Sequence, residues 1–389
     1  MRAKWFWQSG QSGKGVLMTD NVKTLSKAIP ESVRRHNRSV LLQLLYPDRA
    51  LTRADLARAS GLTRVAVSDI VARLLEEGLL AQMGPSPASG PGKRGRLLKI
   101  DPMSRNIITM DLSAPYVFRG AVMNLLGQVL ARDEIALGAF EHAPIGLVGQ
   151  LYDSLAWRAQ APILGVGIAS PGVVGASGVV DDALNLGWVK VDLKEYVGQH
   201  TAAPVLVEND ANAEAIAEQQ FGSGGEDLLL VHLAQGVGAG IVVGGQLVRG
   251  RNRASGEIGH IVVDSQGPLC RCGKRGCLET YLAVPRLIEQ VEGQPSQARA
   301  TLARAGHLLG RALSMPVGLL DLPQIAIMGP ARVANQTFIG ALAQTLNDSL
   351  ATKFHAPVIV RRSVLGEDAA LLGACAQVIE QQLYADSRA

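Results

Sequence analysis

Apolar residues first recur with a helical period between Ser32 and Tyr46, at Val33, Val40, Leu41, Leu44 and Leu45, and Pro47-Asp48 ends the run. Thr52 is placed to cap a second helix, with Asp55 three residues on as a near capping box and Leu56, Ala57 and Ala59 as its inner face. Ser60-Gly61-Leu62 is a turn, and Thr63 caps a third helix reaching about Glu77, with Val67, Ile70, Val71, Leu74 and Leu75 inward. Two short helices joined by a glycine turn predict a helix-turn-helix. Two short strands follow, 79–83 and 97–100, separated by a Pro/Ser/Gly-rich stretch that ends in Lys93-Arg94-Gly95-Arg96. A hairpin in that position is a wing.

From Ile107 the texture changes. Strands are predicted over 107–112, 116–124 and 128–135, then a helix over 144–160, a buried strand over 163–169, a helix over 192–201, a strand over 205–208 and a helix over 211–220. The order then repeats: strands 228–233, 238–243 and 246–249, helices 279–292 and 296–320, strand 324–328, helix 332–351, strand 358–360 and helix 368–385. Two similar lobes of meander plus helices around a cleft make an α/β body on the duplicated actin-like, ribonuclease-H-like plan. The expected layout is a leader over 1–30, a winged helix-turn-helix over 31–100, a first lobe over 101–210 and a second over 211–389, whose final helix is a candidate to pack back on the first. Residues 1–17 carry no periodic pattern, so Met18 is an alternative start to Met1.

Charge sharpens this division. Residues 1–100 hold 17 Lys and Arg against 7 Asp and Glu, while the remainder holds 21 against 27. A basic head on an acidic body points to double-stranded DNA as a partner. Thr63, Arg64, Val65 and Ser68, with Asp69, are then base readers at the start of the third helix, and Arg73, Arg34, Arg35 and Arg38 meet phosphates. Arg94 and Arg96 on the wing suit an A·T-rich minor groove. The most apolar window, Leu228 to Val243, is too short and too interrupted by His232, Gln235 and glycines to insert in a membrane. The Trp5-Phe6-Trp7 run has no apolar core or cleavage site behind it, so the expected location is the cytoplasm.

Of the four cysteines, Cys270, Cys272 and Cys277 lie within eight residues, ten residues after His260. A Cys3His set fills the tetrahedral shell of Zn²⁺ and leaves no open position, which makes the ion structural. The plain alternative is three free thiols on a surface loop, but Gly273 and Gly276 supply the turns that gather the sulfurs.

The stretch Glu257-x-x-His260, then Cys270-x-Cys272-Gly273-x-x-Gly276-Cys277-Leu278-Glu279, together with Glu208-Asn209-Asp210-Ala211-Asn212 and the head in front, resembles the ROK family (repressor, open reading frame, kinase) from about residue 32 onward. Repressors of that family include the N-acetylglucosamine- and glucose-responsive regulators of enteric bacteria. The resemblance implies a sugar-kinase-type body, zinc on His260, Cys270, Cys272 and Cys277, and sugar hydroxyls on Asn209, Asp210, Glu257, His260 and Glu279. Asp210 also stands where a helix cap is expected, and the matching residue in the family's kinases acts as general base.

Those kinases open the first lobe with Asp-x-Gly-Gly-Thr, where this chain has Asp111-Leu112-Ser113-Ala114-Pro115. Their second phosphate loop, Gly-Thr-Gly-x-Gly, is Ala234-Gln235-Gly236-Val237-Gly238, and the late Gly-Gly is Gly329-Pro330. Pro115 and Pro330 have no N–H to offer a phosphate. Intact sugar residues beside altered phosphate loops predict a sensor: a DNA-binding regulator, expected to repress as a homodimer or homotetramer in response to a sugar or sugar phosphate, and not an enzyme. The alternatives are a sugar kinase using Asp210, and a body that receives a protein partner such as a transporter domain.

Overall fold

The computed structural model describes residues 30–86, 95–138, 142–352, 354 and 356–384. Arg94 and residues 1–29 of the expected leader lie outside these. The head runs α1 (Pro30–Leu45), β1 (Leu51–Thr52), α2 (Arg53–Ser60), α3 (Arg64–Glu76), β2 (Leu80–Pro85) and β3 (Arg96–Ile100), with the strands in the antiparallel order β1-β3-β2. Local chemistry sets its joints. Thr52 and Asp55 form a full capping box, at 3.2 Å from the Asp55 N–H to Thr52 Oγ1 and 3.1 Å from the Thr52 N–H to Asp55 Oδ2. Gly61 closes α2 in the left-handed region at φ 71°, and Thr63 Oγ1 accepts the Ala66 N–H at 3.2 Å to open α3. Two inward positions differ from expectation in α1: Val33 is exposed and Leu42 is buried. The reason is that the last two turns of α1 supply its packing, through Leu41, Leu42 and Leu45. Ala59 of α2 is likewise exposed.

The first lobe consists of β4 (Asn106–Asp111), β5 (Val117–Met123), β6 (Val129–Ala136), α4 (Gly146–Arg158), β7 (Ile163–Ser170), β8 (Val173–Val174), β9 (Val179–Ala183), β10 (Trp188–Asp192), α5 (Leu193–Gly198) and β11 (Val205–Asn209). Its main sheet has the order β11-β7-β4-β5-β6, an antiparallel meander extended by two parallel strands. The second lobe holds α6 (Asp210–Gln220), β12 (Leu228–Leu233), β13 (Val237–Val243), β14 (Gln246–Leu247), α7 (Glu279–Leu282), α8 (Val284–Gly293), α9 (Ala298–Leu320), β15 (Gln324–Met328), α10 (Gln336–Leu350), β16 (Ile359–Arg362) and α11 (Ala369–Tyr384). Its sheet, β14-β13-β12-β15-β16, repeats the same plan. Among the described residues no helix is long and apolar enough to cross a membrane.

Three expectations are corrected. The segment before α5, for which the sequence predicts no element, forms a small antiparallel sheet, β10-β9-β8. The helix expected over 279–292 is broken at Ala283, because Pro285 has no N–H to continue the ladder of α7. The helix expected from 332 starts at Gln336, where Asn335 accepts the Thr337 and Phe338 N–H groups at 3.0 and 3.2 Å.

The helices α6 and α11 tie the parts together. α6 packs against α11 on one side and β12–β13 on the other, and α11 lies on β4, β7 and β11 of the first sheet. Leu371, Cys375, Val378, Ile379 and Leu383 of α11 share one core with Leu41, Leu45, Leu56, Val71 and Leu74 of the head. Tyr46, after α1, meets Tyr384 edge-on at 5.7 Å, and its hydroxyl oxygen accepts from Gln220 at the end of α6 at 3.2 Å. α6 approaches α11 this closely because alanine alternates along it and Gly373 faces it. A Cβ on Gly373 would sit inside the Ala213 carbonyl. Gly373→Ala is therefore expected to destabilise the body by about 2 kcal/mol or more, read as a lower urea midpoint. An unchanged midpoint would show that the two helices can part freely.

Candidate ligand cleft and metal centre

Three carboxylates stand on one stripe of α6, at Asp210, Glu214 and Glu218, spaced i, i+4, i+8 and all buried. The second lobe supplies a cation for two of them. Glu214 Oε2 lies 2.7 Å from His232 Nδ1 on β12, and Glu218 lies 2.6 Å from Arg361 on β16 and accepts the Ser363 hydroxyl at 2.6 Å. Asp210 is paired differently: Oδ1 accepts from Asn209 Nδ2 and from the Ala211 N–H, both at 2.9 Å. Asn209 caps α6, taking the Asn212 N–H at 3.0 Å, and donates to the Gly172 carbonyl of the first lobe at 2.9 Å. Burial pushes the Asp210 carboxyl up to about 6, helped by Glu214 and Asp111 and opposed by His232. Burial alone would lower the His232 ring, but Glu214, Asp210 and Asp111 outweigh it and hold the imidazolium up to about 10.

A second group lies on the loop after β14. A 3-10 turn, Ile258–His260, follows Glu257 and places His260 Nε2 3.9 Å from Glu257 Oε2. Desolvation raises the Glu257 carboxyl, offset by His260 and reinforced by Glu279 and by Asp182 of β9. Glu279 Oε2 accepts the Val237 N–H at 3.3 Å, and a Cβ on Gly236 would stand 2.7 Å from it, so glycine is what lets the carboxylate reach this turn. The five residues expected to meet sugar thus form two groups, Asn209–Asp210 and Glu257–His260–Glu279. Gly172 bridges them: it accepts from Asn209 and lies against the backbone of Asp182.

The cysteine loop brings the four expected ligands together. The ligand atoms of His260, Cys270, Cys272 and Cys277 lie within 4.8 Å of one another. Cys270 Sγ is 3.6 Å from His260 Nδ1, and Cys272 Sγ is 3.6 Å from Cys277 Sγ. A tetrahedral cation with sulfur at ~2.3 Å and nitrogen at ~2.0 Å needs edges of about 3.6–3.8 Å, so the set fits one. Desolvation, then the Cys272 and Cys270 sulfurs, push the Cys277 thiol up to about 12, a repulsion that a bound cation would relieve. The loop's own backbone also ties it, through the Cys270 N–H to the Lys274 carbonyl and the Gly276 N–H to the Pro268 carbonyl, both at 2.8 Å. His260 spans both chemistries, with Nδ1 on the cysteine side and Nε2 toward Glu257.

The segments aligned with phosphate loops use their donors internally. Asp111 Oδ1 accepts the Ser113 N–H at 2.9 Å and its hydroxyl at 2.6 Å, while Ala234 N–H donates to Gly236 at 3.0 Å. On the head, Thr63, Arg64, Val65, Ser68 and Arg73 are exposed along one face of α3, and Val65 is 80% exposed. Arg73 pairs with Asp69 at 3.4 Å, and Arg96 donates to Gln82 at 3.4 Å. Arg38, expected on phosphate, makes two exposed bonds of 2.7 Å to Glu77.

A family model described as ROK family matches residues 116–381. The chain belongs to the ROK family. Within it, the chain is 28% identical over 390 residues to the xylose repressor of Caldicellulosiruptor bescii, covering 90% of this chain and 97% of that one. It is 32% identical over 259 residues to the glucokinase of Thermotoga maritima, covering 58% of this chain and 81% of that one. A crystal structure of a ROK family transcriptional regulator, described as a homologue of the Escherichia coli MLC protein, superposes with a TM-score of 0.77 at 22% identity, over 92% of this chain and 98% of that one. The body therefore has the actin-like sugar-kinase fold shared by the ROK proteins.

Three residues of the site escaped the sequence reading. His232 is the lone ionisable group in the run Leu228–Leu233, expected as a strand and carrying no sign of a partner for the ring. Glu214 follows Asp210 by four, a helical step that was there to be counted. Asp182 gave no signal, since its hairpin was not anticipated. The raised carboxyl of Asp210 has a stability consequence. Its folded value of about 6 exceeds the unfolded value, so the folded protein binds the extra proton between about pH 4 and 6 and loses stability as pH rises through that window. Asp210→Asn is expected to raise the melting temperature by a few degrees at pH 8 and to leave it unchanged at pH 4. An equal effect at both values would contradict a buried, ionising Asp210.

Proposed function

We propose that this protein is a sugar-responsive transcriptional repressor whose kinase-like body senses a monosaccharide without phosphorylating it. The observation that carries the reading is end-to-end continuity: the match to the xylose repressor takes in the head as well as the body, whereas the glucokinase match covers only 58% of this chain. The head reads as a winged helix-turn-helix, with α3 as recognition helix and the β2–β3 hairpin as wing. Thr63, Arg64, Val65 and Ser68 would contact base edges, and Arg73, Arg94 and Arg96 the backbone or minor groove. Two heads in a homodimer or homotetramer would span half-sites about 34 Å apart.

In the cleft, Asp210, Asn209, Glu257 and His260 Nε2 offer the fixed acceptors and donors that hydroxyls need. Zinc is the cation we assign to His260, Cys270, Cys272 and Cys277, and it supplies structure: it fixes the His260 ring and braces the segment carrying Glu257 and Glu279. Closure of the lobes on sugar would then shift α6 and α11, on which the head rests, and favour a state with the two heads misplaced.

The kinase reading keeps two supports, the retained Asp210 and the 32% identity to a glucokinase. Against it stand the changed phosphate segments, Asp111-Leu112-Ser113-Ala114-Pro115, Ala234-Gln235-Gly236-Val237-Gly238 and Gly329-Pro330. An ATP-coupled assay over xylose, glucose and N-acetylglucosamine is expected to give no turnover; turnover abolished by Asp210→Asn would establish the kinase instead.

Footprinting on the DNA flanking the protein's own gene is expected to show a protected site. Arg64→Ala should weaken that site by about ten-fold or more while nonspecific binding persists. Protection of no site would sink the regulator reading. Cys272→Ser is expected to lose stoichiometric zinc and the response to sugar while the protein still binds DNA; an unchanged response in the zinc-free variant would make the loop a fold clip only.

A further inference from the structure

Glu208 stands near the end of β11, directly before Asn209 and Asp210, and its side chain is 2% exposed. A carboxylate buried to that degree has to be paired. Its two oxygens serve different parts of the molecule. Oε1 accepts from the Asn209 N–H at 3.2 Å and from Asn212 Nδ2 at 3.1 Å, both at the start of α6. Oε2 accepts from Arg249 Nε at 2.7 Å and Arg253 Nη2 at 3.4 Å, both on the segment between β14 and Glu257. The same oxygen accepts from Gln377 Nε2 of α11 at 3.2 Å.

The segment that carries the two arginines ties the lobes together. It is folded on itself, with the Arg253 N–H donating to the Gly250 carbonyl and the Ser255 N–H to the Arg249 carbonyl, both at 3.3 Å. Its far end is fixed to the second lobe. There the Ala239 N–H of β13 donates to the Gly256 carbonyl at 2.9 Å, and a Cβ on Gly256 would stand 1.8 Å from the Ala239 carbonyl oxygen. Its near end is fixed to the first lobe, through Glu208 and through Arg253 Nε, which donates to the Val174 carbonyl of β8 at 3.0 Å. Arg253 sits at φ 54°, a left-handed conformation unfavourable for a residue with a Cβ. Strain of that kind persists where the surroundings enforce it, and it clusters at functional positions. A buried ion pair adds little to stability over apolar packing of the same shape, but it fixes distance and direction.

We propose that Glu208 and Arg253 are positioning residues of the sugar cleft, setting the distance between its two walls without touching the sugar. Asn209 and Asp210 form one wall, and Glu257, His260 and Glu279 the other. This rests on the reading of the cleft as a monosaccharide site. One carboxylate addresses both walls: Oε1 holds the start of α6, and Oε2 holds the segment that leads into Glu257. Arg249 gives that segment a single point of attachment. Arg253 adds a second, four residues from Glu257, and its bond to Val174 fixes the direction in which the guanidinium reaches. Gln377 brings α11 to the same oxygen, and α11 shares its core with the head, so wall spacing and the carriage of the head meet at one carboxylate.

The test is calorimetry and thermal melting of the full-length protein with xylose, glucose and N-acetylglucosamine, in the unaltered chain, Arg253→Asn and Arg253→Lys. Asparagine accepts a left-handed backbone but is too short to reach Glu208, which keeps Arg249 as its partner. Without sugar, Arg253→Asn is expected to melt within about 2 °C of the unaltered protein. It is expected to bind the sugar about ten-fold more weakly or worse. Arg253→Lys keeps a charge within reach of Glu208 and is expected to recover about three-fold or more of that loss. The proposal is overturned if Arg253→Asn binds sugar as the unaltered protein does, if Arg253→Lys binds no better than Arg253→Asn, or if the loss of affinity comes with a matching loss of melting temperature. Failure of all three sugars to bind the unaltered protein by about 10 mM overturns the cleft reading itself and this proposal with it, an outcome distinct from the others because no variant is needed to see it.

Discussion

The body turns on the packing of α6. This helix is wedged between α11 and the second sheet, and it can be wedged there because alanine alternates along it and glycine faces it at Gly373 and Gly240. Close backbone approach brings a constraint: any polar group on α6 is cut off from water and must find a partner. Glu214 finds His232, and Glu218 finds Arg361 and Ser363. Asp210, at the cleft end of the same stripe, receives only an amide and a backbone N–H. The helix therefore carries an acidic stripe paired with cations at two positions and with neutral donors at the cleft end, where burial raises the carboxyl.

The same packing links chemistry to the head. Asn209 and Asp210 start α6 and Gln220 ends it, bonded to Tyr46, which follows α1 and meets Tyr384 of α11 edge-on. One apolar core runs from α3 into α11. A shift of α6 relative to either lobe has a short mechanical route to the exposed face of α3, through packed side chains. The cysteine loop works at the opposite wall of the cleft, where His260 presents one nitrogen to the sulfurs and the other toward Glu257.

Much of this was legible in the residues. Thr52, Asp55, Gly61 and Thr63 announce their caps and turn because the chemistry is local and acts within three residues. The cysteine spacing announced its cluster, and the repeated order of strands announced the two lobes. What stayed hidden depended on long-range pairing or on subtle breaks. The β8–β10 sheet is built from a two-residue strand and a polar hairpin, with no period long enough to read. His232 looked like an interruption in an apolar strand, because its partner Glu214 lies on a different element. The Arg38–Glu77 pair was hidden as well, because the two residues lie 39 positions apart in the chain.

The central claim is that occupancy of the Asp210 end of α6 changes how the head meets DNA. The most direct measurement is operator affinity by fluorescence anisotropy, with and without a saturating monosaccharide chosen by thermal shift from xylose, glucose and N-acetylglucosamine, in the unaltered protein and in Asp210→Asn. The account predicts a sugar-dependent change of about ten-fold or more in the former, and in the variant an unchanged sugar-free affinity with no response. A variant that still responds to sugar, or one that loses operator binding outright, would contradict it.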